Sequence, residues 1–320
     1  MMDLAKVDSF RFLQWAAKDE SDYDELFYNL GLCKVGIIQN TQNVLWRSNN
    51  IDFFVTTKRQ DFVNSHGNGV CGIGLNFGNA DIARTHAKDN GYTKGINGID
   101  LFFNDYSTWV ELIKLLKEYN NTKELVTGIN KIDHITHNCH PGNVDVWAEN
   151  YKNWFGMYQN KYFDIDGQET GLISRAMMSS IGQMAIPLNE DKDERGQIAQ
   201  FIKEFNGEGV QHIALETYDI YFTVKLLREQ GIPFLSVPDT YYDTIDQRID
   251  EHNEDVDALK ELGILIDGGK EDGILLQIFT EPVVGPVFFE IIQRKGNKGF
   301  GHGNFKALFE AIERDQLGLN

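Results

Sequence analysis

Two histidines and one glutamate carry the most suggestive chemistry in this chain of 320 residues. His134 lies in KIDHIT (131–136) and His212 in GVQHIA (209–214), the same apolar–polar–His–Ile pattern written twice. Glu290 lies in the middle of PVFFEIIQR, where an uncompensated carboxylate would cost on the order of several kcal/mol. A divalent metal ion would compensate it. Two neutral imidazoles and one carboxylate on one face, with the remaining positions open, form the facial triad of non-haem Fe(II) oxygenases. Each residue also has a plainer role. A strand histidine is usually a hydrogen-bonded core residue, and Glu290 could pair with Arg294 on its own face of the strand. His137 and His140 crowd His134 as an HxxH pair, although Cys139, His140, Pro141 and Gly142 read as a turn. His66, His86 and His302 stand in glycine-rich or helical surroundings that suit surface groups.

For His134 and His212 to converge, their segments must be equivalent members of a repeat. The repeat is visible. Each histidine segment reads as a strand and precedes an amphipathic helix. Residues 144–155 place Val144, Trp147, Ala148, Tyr151 and Trp154 at helical spacing, and residues 219–230 do the same with Ile220, Val224 and Leu227 before Gly231. Short β-rich runs follow: MYQNKYFDI, TGLISRAM and QMAIPLN in one copy, IPFLSV, GILLQIF and PVFFEIIQR in the other. Residues 130–320 therefore predict two β-α-β-β-β modules. Upstream, VDSFRF (7–12) with a helical stretch ending at Leu30, and GVCGIGL (69–75) with a helix over 81–90, repeat the opening of the pattern. Four modules in two domains follow, with a polar, turn-rich seam near 119–127. Alignment on the later copies puts Ser9 and Gly72 where the second domain has histidines, so the first domain is expected to lack the metal site. The acidic segment 238–262 is expected to interrupt the fourth module and cover one end.

Composition limits the partners. Lys and Arg number 30 against 48 Asp and Glu, a formal charge of −18, which repels nucleic acid and anionic membrane. A small anionic substrate would need a local positive centre such as a metal. With 42% apolar residues the chain can bury one large core or two ordinary ones. No apolar run approaches the roughly 18 residues that cross a bilayer. The opening MMDLAKVDSF has no apolar stretch behind a basic start, and the cysteines are three, scattered and without CxxC. Free thiols and a cytoplasmic location are expected. GFGHGNF (299–305) resembles a phosphate-cradling loop only superficially, because no strand leads into a GxGxxG.

Seven stretches together resemble the 4-hydroxyphenylpyruvate dioxygenase family of the vicinal-oxygen-chelate superfamily. They are IDHITHN (132–138), IPLNE (186–190), FNGEGVQHIAL (205–215), PDTYY (238–242), LLQIFTE (275–281), FFEIIQRKG (288–296) and GFGHGNFKALFEAIERDQ (299–316), in the family's order through the second domain. The first domain matches weakly and looks shortened between Gly91 and Thr127. The resemblance implies an α+β fold: two tandem domains, 1–125 and 126–320, each of paired βαβββ modules forming open barrels, with a C-terminal capping helix over 304–316. It makes His134, His212 and Glu290 the ligands of one Fe(II) per chain, and Asn189, Gln211 and Gln277 catalytic residues. It places Ser174, Gln197, Phe279, Phe300 and Phe305 against the substrate. Strand alternation aims Gln211 away from His212 unless a bulge re-aims it. The implied reaction takes 4-hydroxyphenylpyruvate and O2 to homogentisate and CO2, through chelation of the keto acid, decarboxylation, ring hydroxylation and side-chain migration. A homo-oligomer, dimer or tetramer, is expected. Rival functions are a hydroxymandelate synthase on the same scaffold, disfavoured by Pro187 and Phe305, and a non-catalytic ligand-sequestering protein, disfavoured by the intact ligand trio.

Overall fold

A computed structural model describes residues 5–301 other than 121, 167–170 and 194, together with 303, 304 and 307. Phe305, His302 and most of the expected capping helix therefore lie outside the described residues. The first sheet contains β1 (Val7–Ala16), β2 (Cys33–Ile38), β3 (Asn43–Ser48), β4 (Ile51–Thr56), β5 (Gly69–Phe77), β6 (Asp100–Asn104) and β7 (Leu116–Glu118). The second contains β8 (Ile129–Asn138), β9 (Tyr158–Asp166), β10 (Gly171–Met178), β11 (Ala185–Asp191), β12 (Gly209–Thr217), β13 (Leu265–Gly269), β14 (Gly273–Phe279) and β15 (Phe288–Lys295). Their spatial orders are β6-β5-β1-β4-β3-β2-β7 and β13-β14-β15-β12-β8-β11-β10-β9.

The modules show in the pairing. The first and last strands of a module run parallel, as in β1 with β4, β8 with β11, and β12 with β15. Modules join through antiparallel first strands, β1 with β5 and β8 with β12. The helices fall where apolar spacing put them. Val144–Phe155 buries Val144, Tyr151, Trp154 and Phe155 and stops at Gly156, whose φ of 64° is the left-handed cap that glycine favours. Ile220–Glu229 starts from Asp219, whose carboxylate accepts the Phe222 N–H, and buries Ile220, Thr223, Val224 and Leu227. One apolar core spans both sheets, with the rings of Trp15 on β1 and Phe289 on β15 5.9 Å apart.

The structure departs from the expected modules in three places. In the fourth, residues 232–237 form no strand; Phe234 makes one isolated bridge to Thr280. Pro233 and Pro238 remove backbone donors there, and the first of the three strands is β13. In the second, only β5, the helix Ala80–Asp89 and β6 follow the pattern, with β6 parallel to β5 as a module's last strand. The nine residues 91–99 are too short to hold the two middle strands. Next comes the helix Tyr106–Ile113, and then β7, which pairs with β2 at the opposite edge. Trp109, Leu112 and Ile113 of this helix pack against Phe12, Ile38, Leu45 and Phe54 on one face of the first sheet.

The third departure concerns the alignment of the repeats. Phe12 faces Gly74 across a bulge, as His134 faces Ala214 across an equivalent one. The counterpart of His134 is thus Phe12 and not Ser9, while Gly72 does answer to His212. Phe102, paired with Gly74, answers to Glu290. Two phenylalanine rings 5.4 Å apart occupy the places of a histidine and a carboxylate.

Candidate metal centre

Strand register brings His134, His212 and Glu290 together. One rung of the second sheet runs through Phe279 on β14, Glu290 on β15, Ala214 on β12, His134 on β8 and Ala185 on β11. His212 stands two residues along β12 on the same face, between Phe288 of β15 and Thr136 of β8. The small Ala214 side chain between His134 and Glu290 leaves both free to lean over it. Donor atoms of the three residues lie within 4.8 Å of one another, and this is the one such group among the described residues. His134 Nε2 is 3.2 Å and His212 Nε2 3.6 Å from the same oxygen, Glu290 Oε2. His134 and Glu290 are 2% and 3% exposed, so no bulk water screens them.

The electrostatics ask for a cation. Burial disfavours a charged imidazole, yet Glu290 and Asp133 overcome this at His134 and push its pKa up to about 9. Burial and the neighbouring His134 charge hold His212 well below its ordinary value. A proton thus supplies the positive charge that a metal would supply at the same three donors. Arg294, the alternative partner for Glu290, is committed elsewhere: its Nε and Nη2 each bond the Asp133 carboxylate at 2.7 Å, and its Nη1 donates to the Gly299 carbonyl at 2.6 Å.

Asp133 is the residue that sequence reasoning missed. Alternation would turn it away from its neighbour His134. The register steps from Ala214 opposite His134 to Leu215 opposite Ile132, so Asp133 is a bulge residue, and its Oδ1 meets His134 Nδ1 at 2.7 Å. Burial would raise its carboxyl, but the hydrogen bonds from Arg294 and His134 outweigh that and hold it below the usual range. A carboxylate on Nδ1 fixes the ring and keeps the Nε2 lone pair for a metal. Gln211 is a bulge residue too: register passes from Val210 to His212 on β12 within one step of β8. Its Oε1 lies 3.2 Å from His212 Nδ1. The re-aiming that alternation alone forbids thus takes place, and Gln211 touches a histidine of the candidate metal group.

The chain as a whole has counterparts among known proteins. Residues 3–100 match the family described as hydroxyphenylpyruvate dioxygenase, N-terminal, and residues 131–265 the glyoxalase/bleomycin resistance protein/dioxygenase superfamily. The 4-hydroxyphenylpyruvate dioxygenase of Legionella pneumophila (strain Corby) is 42% identical over 97% of this chain and 95% of its own length. The chain belongs to the 4-hydroxyphenylpyruvate dioxygenase family. Within that similarity, hemolysin VllY of Vibrio vulnificus (strain CMCP6) is 43% identical over 97% of this chain and 95% of its own. A solved mutant of 4-hydroxymandelate synthase from Streptomyces coelicolor superposes with a TM-score of 0.77 at 25% identity, covering 97% of this chain and 99% of that one. The enzyme is accordingly of the dioxygenase kind.

Around the centre of this dioxygenase-family chain, aromatic rings close in. Phe300 meets His134 edge-on at 5.3 Å, Phe279 meets His212 at 6.1 Å, and Phe288 stacks on His212 at 5.0 Å. Strand parity in the sequence puts Phe288 on the face of Glu290, but no role had been assigned to it. Gln277 is buried two registered positions from Glu290, in register with Ile292. Ser174 and Asn189 face each other across β10 and β11, and Asn189 is also in register with Asn138 of β8, so three polar side chains form a row farther along the same face. Gln197 is not brought to this group. It is the exposed first residue of the helix Gln197–Phe205, which turns Ile198, Phe201 and Phe205 inward instead.

Proposed function

We propose that this chain is an Fe(II)-dependent dioxygenase converting 4-hydroxyphenylpyruvate and O2 to homogentisate and CO2, a step of tyrosine and phenylalanine catabolism. The observation that carries the reading is the convergence of two imidazoles and one buried carboxylate within 4.8 Å. Such a donor set leaves open positions and suits a divalent ion of the iron type. Bound iron supplies a positive centre for the 2-oxo acid and the redox chemistry that couples its decarboxylation to oxidation of the ring.

The chain's own residues do the rest. His134, His212 and Glu290 would hold the ion, with Asp133 and Gln211 fixing the two imidazoles through their Nδ1 atoms. The substrate carries its own keto acid, so the site needs no second 2-oxo acid. Phe279, Phe288 and Phe300 exclude water from the space around the ligands, which protects reactive species from side reactions. Gln277, Ser174 and Asn189 offer hydrogen-bonding groups on the face that would receive the substrate, and Phe305 is assigned to the same wall from the sequence. Among the described residues no helix is long and apolar enough to cross a membrane.

The likeness to a 4-hydroxymandelate synthase structure makes oxidation of the benzylic carbon the competing outcome. Incubation of the purified protein with Fe(II), ascorbate and 4-hydroxyphenylpyruvate, followed by chromatography, separates the two. Homogentisate supports the proposal, 4-hydroxymandelate assigns the rival activity, and binding without consumption of O2 identifies a ligand-sequestering protein. Light scattering of the same sample checks the expected dimer or tetramer.

A further inference from the structure

We propose that Tyr241 is a positioning residue for the metal pocket, acting through Asn304 to fix which end of the Gln277 side-chain amide faces a bound 2-oxo acid. This rests on the function proposed above and assigns a task to the acidic segment 238–262.

Tyr241 belongs to the short helix Asp239–Tyr242 and is fully buried. Arg248 covers its ring at 4.7 Å, and Tyr242 packs edge-on at 5.0 Å. Its hydroxyl accepts the Ile266 N–H of β13 at 2.9 Å and lies 2.5 Å from Asn304 Oδ1. Asn304 Nδ2 in turn donates to Gln277 Oε1 at 3.3 Å. The turn that carries Asn304 is docked against β13 and β14. Gly303 N–H donates to Asp267 Oδ2 at 3.0 Å, and a Cβ at Gly301, whose φ is +71°, would stand 1.8 Å from Gln277 Oε1. Only glycine permits that approach.

The polarity of the chain follows from lengths and donor counts. An amide could be turned either way, so its orientation has to be read from its partners. The Tyr241 hydroxyl already accepts the Ile266 N–H and has one proton for two acceptors in reach, and Asn304 Oδ1 at 2.5 Å takes it ahead of the Ile266 carbonyl at 3.0 Å. Asn304 then presents its NH2 to Gln277, and Gln277 must present its oxygen to Asn304. The NH2 of Gln277 is thereby the end left for the pocket, two registered positions from Glu290. A 2-oxo acid brings only acceptors: two carboxylate oxygens and a keto oxygen. A donor at Gln277 holds them, whereas the reversed amide would set oxygen against oxygen.

The test is a double-mutant cycle on the iron-loaded enzyme, with steady-state kinetics of the wild type, Tyr241→Phe, Gln277→Ala and the double variant. Loss of one neutral hydrogen bond to substrate predicts a KM for 4-hydroxyphenylpyruvate raised roughly three- to tenfold in Tyr241→Phe, with iron content unchanged and kcat nearly so. In the Gln277→Ala background the same substitution should change KM by less than about twofold. A purely structural Tyr241 would either leave KM unmoved or act equally in both backgrounds, and either result overturns the proposal. Should Tyr241→Phe fail to fold, Asn304→Asp serves. It keeps an oxygen for Tyr241 but sets its other oxygen against Gln277, and the proposal requires the same Gln277-dependent rise in KM. Anaerobic calorimetry of 4-hydroxyphenylpyruvate on Co(II)-loaded protein repeats the cycle without turnover. A wild type that binds but does not react overturns the catalytic reading and still measures the relay, while a wild type that does not bind overturns both.

Discussion

Replacing Asp133 by Asn should weaken metal binding by about 10- to 100-fold while leaving the chain folded. Asp133 holds His134 Nδ1 and both arms of the Arg294 fork, each at 2.7 Å. Asparagine keeps the size but has one oxygen, so it must give up at least one charge-assisted bond, worth about 1.5–3 kcal/mol. Arg294 is not orphaned by the change. It still donates to the carbonyls of Gly299 at 2.6 Å and Asn297 at 3.3 Å, which keeps the loss of stability below the roughly 3–5 kcal/mol of an unpaired buried charge. A tenfold to hundredfold loss of affinity corresponds to about 1.4–2.7 kcal/mol. Anaerobic competition between the protein and a chelator for Fe(II) or Co(II) measures it, with circular dichroism as the control on folding. Unchanged affinity in a folded Asp133→Asn would refute the reasoning that Asp133 orients a metal ligand.

Further outcomes can be checked alongside. His134→Ala and His212→Ala should each remove iron and turnover while retaining the native dichroism spectrum; full iron occupancy in either would contradict the ligand assignment. Ala214→Leu puts branched carbon between His134 and Glu290, and should abolish metal binding with an overpacking cost of about 1–3 kcal/mol, read by metal analysis and thermal melts. Because Phe12, Gly72 and Phe102 stand in the triad's places in the first sheet, titration should find one metal per chain, and two specific sites would overturn the correspondence of the repeats. Asp105 caps two helices, accepting from Thr108 N–H at 2.8 Å and Ala80 N–H at 2.9 Å, and these bonds hold its carboxyl well below the ordinary value. A carboxyl lowered by folding stabilises the chain fully above the unfolded value of about 4, and the benefit fades as pH falls further. Asp105→Ala should therefore lose about 0.5–2 kcal/mol at pH 7 and converge on the wild type in acid, as melts across pH would show.

The convergence of His134, His212 and Glu290 and most of the fold were legible because both rest on periodic signals. Strand parity put Phe288, Glu290 and Ile292 on one face, apolar spacing located the helices at 144–155 and 220–229, and the repeated histidine motif announced two equivalent strands. What was not legible depended on events that break a period. Bulges at Asp133 and Gln211 turned two side chains that alternation would have pointed away. The pairing makes Phe12 the counterpart of His134, three residues from the Ser9 that the likeness of Asp8-Ser9-Phe10 to Asp133-His134-Ile135 had suggested. The strand expected at 232–237 lost to two prolines, and β13 arose from ILIDGG, whose glycines had hidden it. Gln197 carried no periodic signal of its own, and its helix turns it outward. The contact from Tyr241 to Asn304 joins residues 63 apart in sequence, a distance over which no local pattern reports.

The most direct measurement of the central claim is the fate of labelled oxygen. Purified iron-loaded protein given 4-hydroxyphenylpyruvate under ¹⁸O2 should release unlabelled CO2 and homogentisate carrying both labelled oxygen atoms, one on the ring and one in the new carboxylate. Mass spectrometry of the separated product reads this directly. Label in 4-hydroxymandelate with none in homogentisate, or no label in any product from fully metal-loaded protein, would contradict the account.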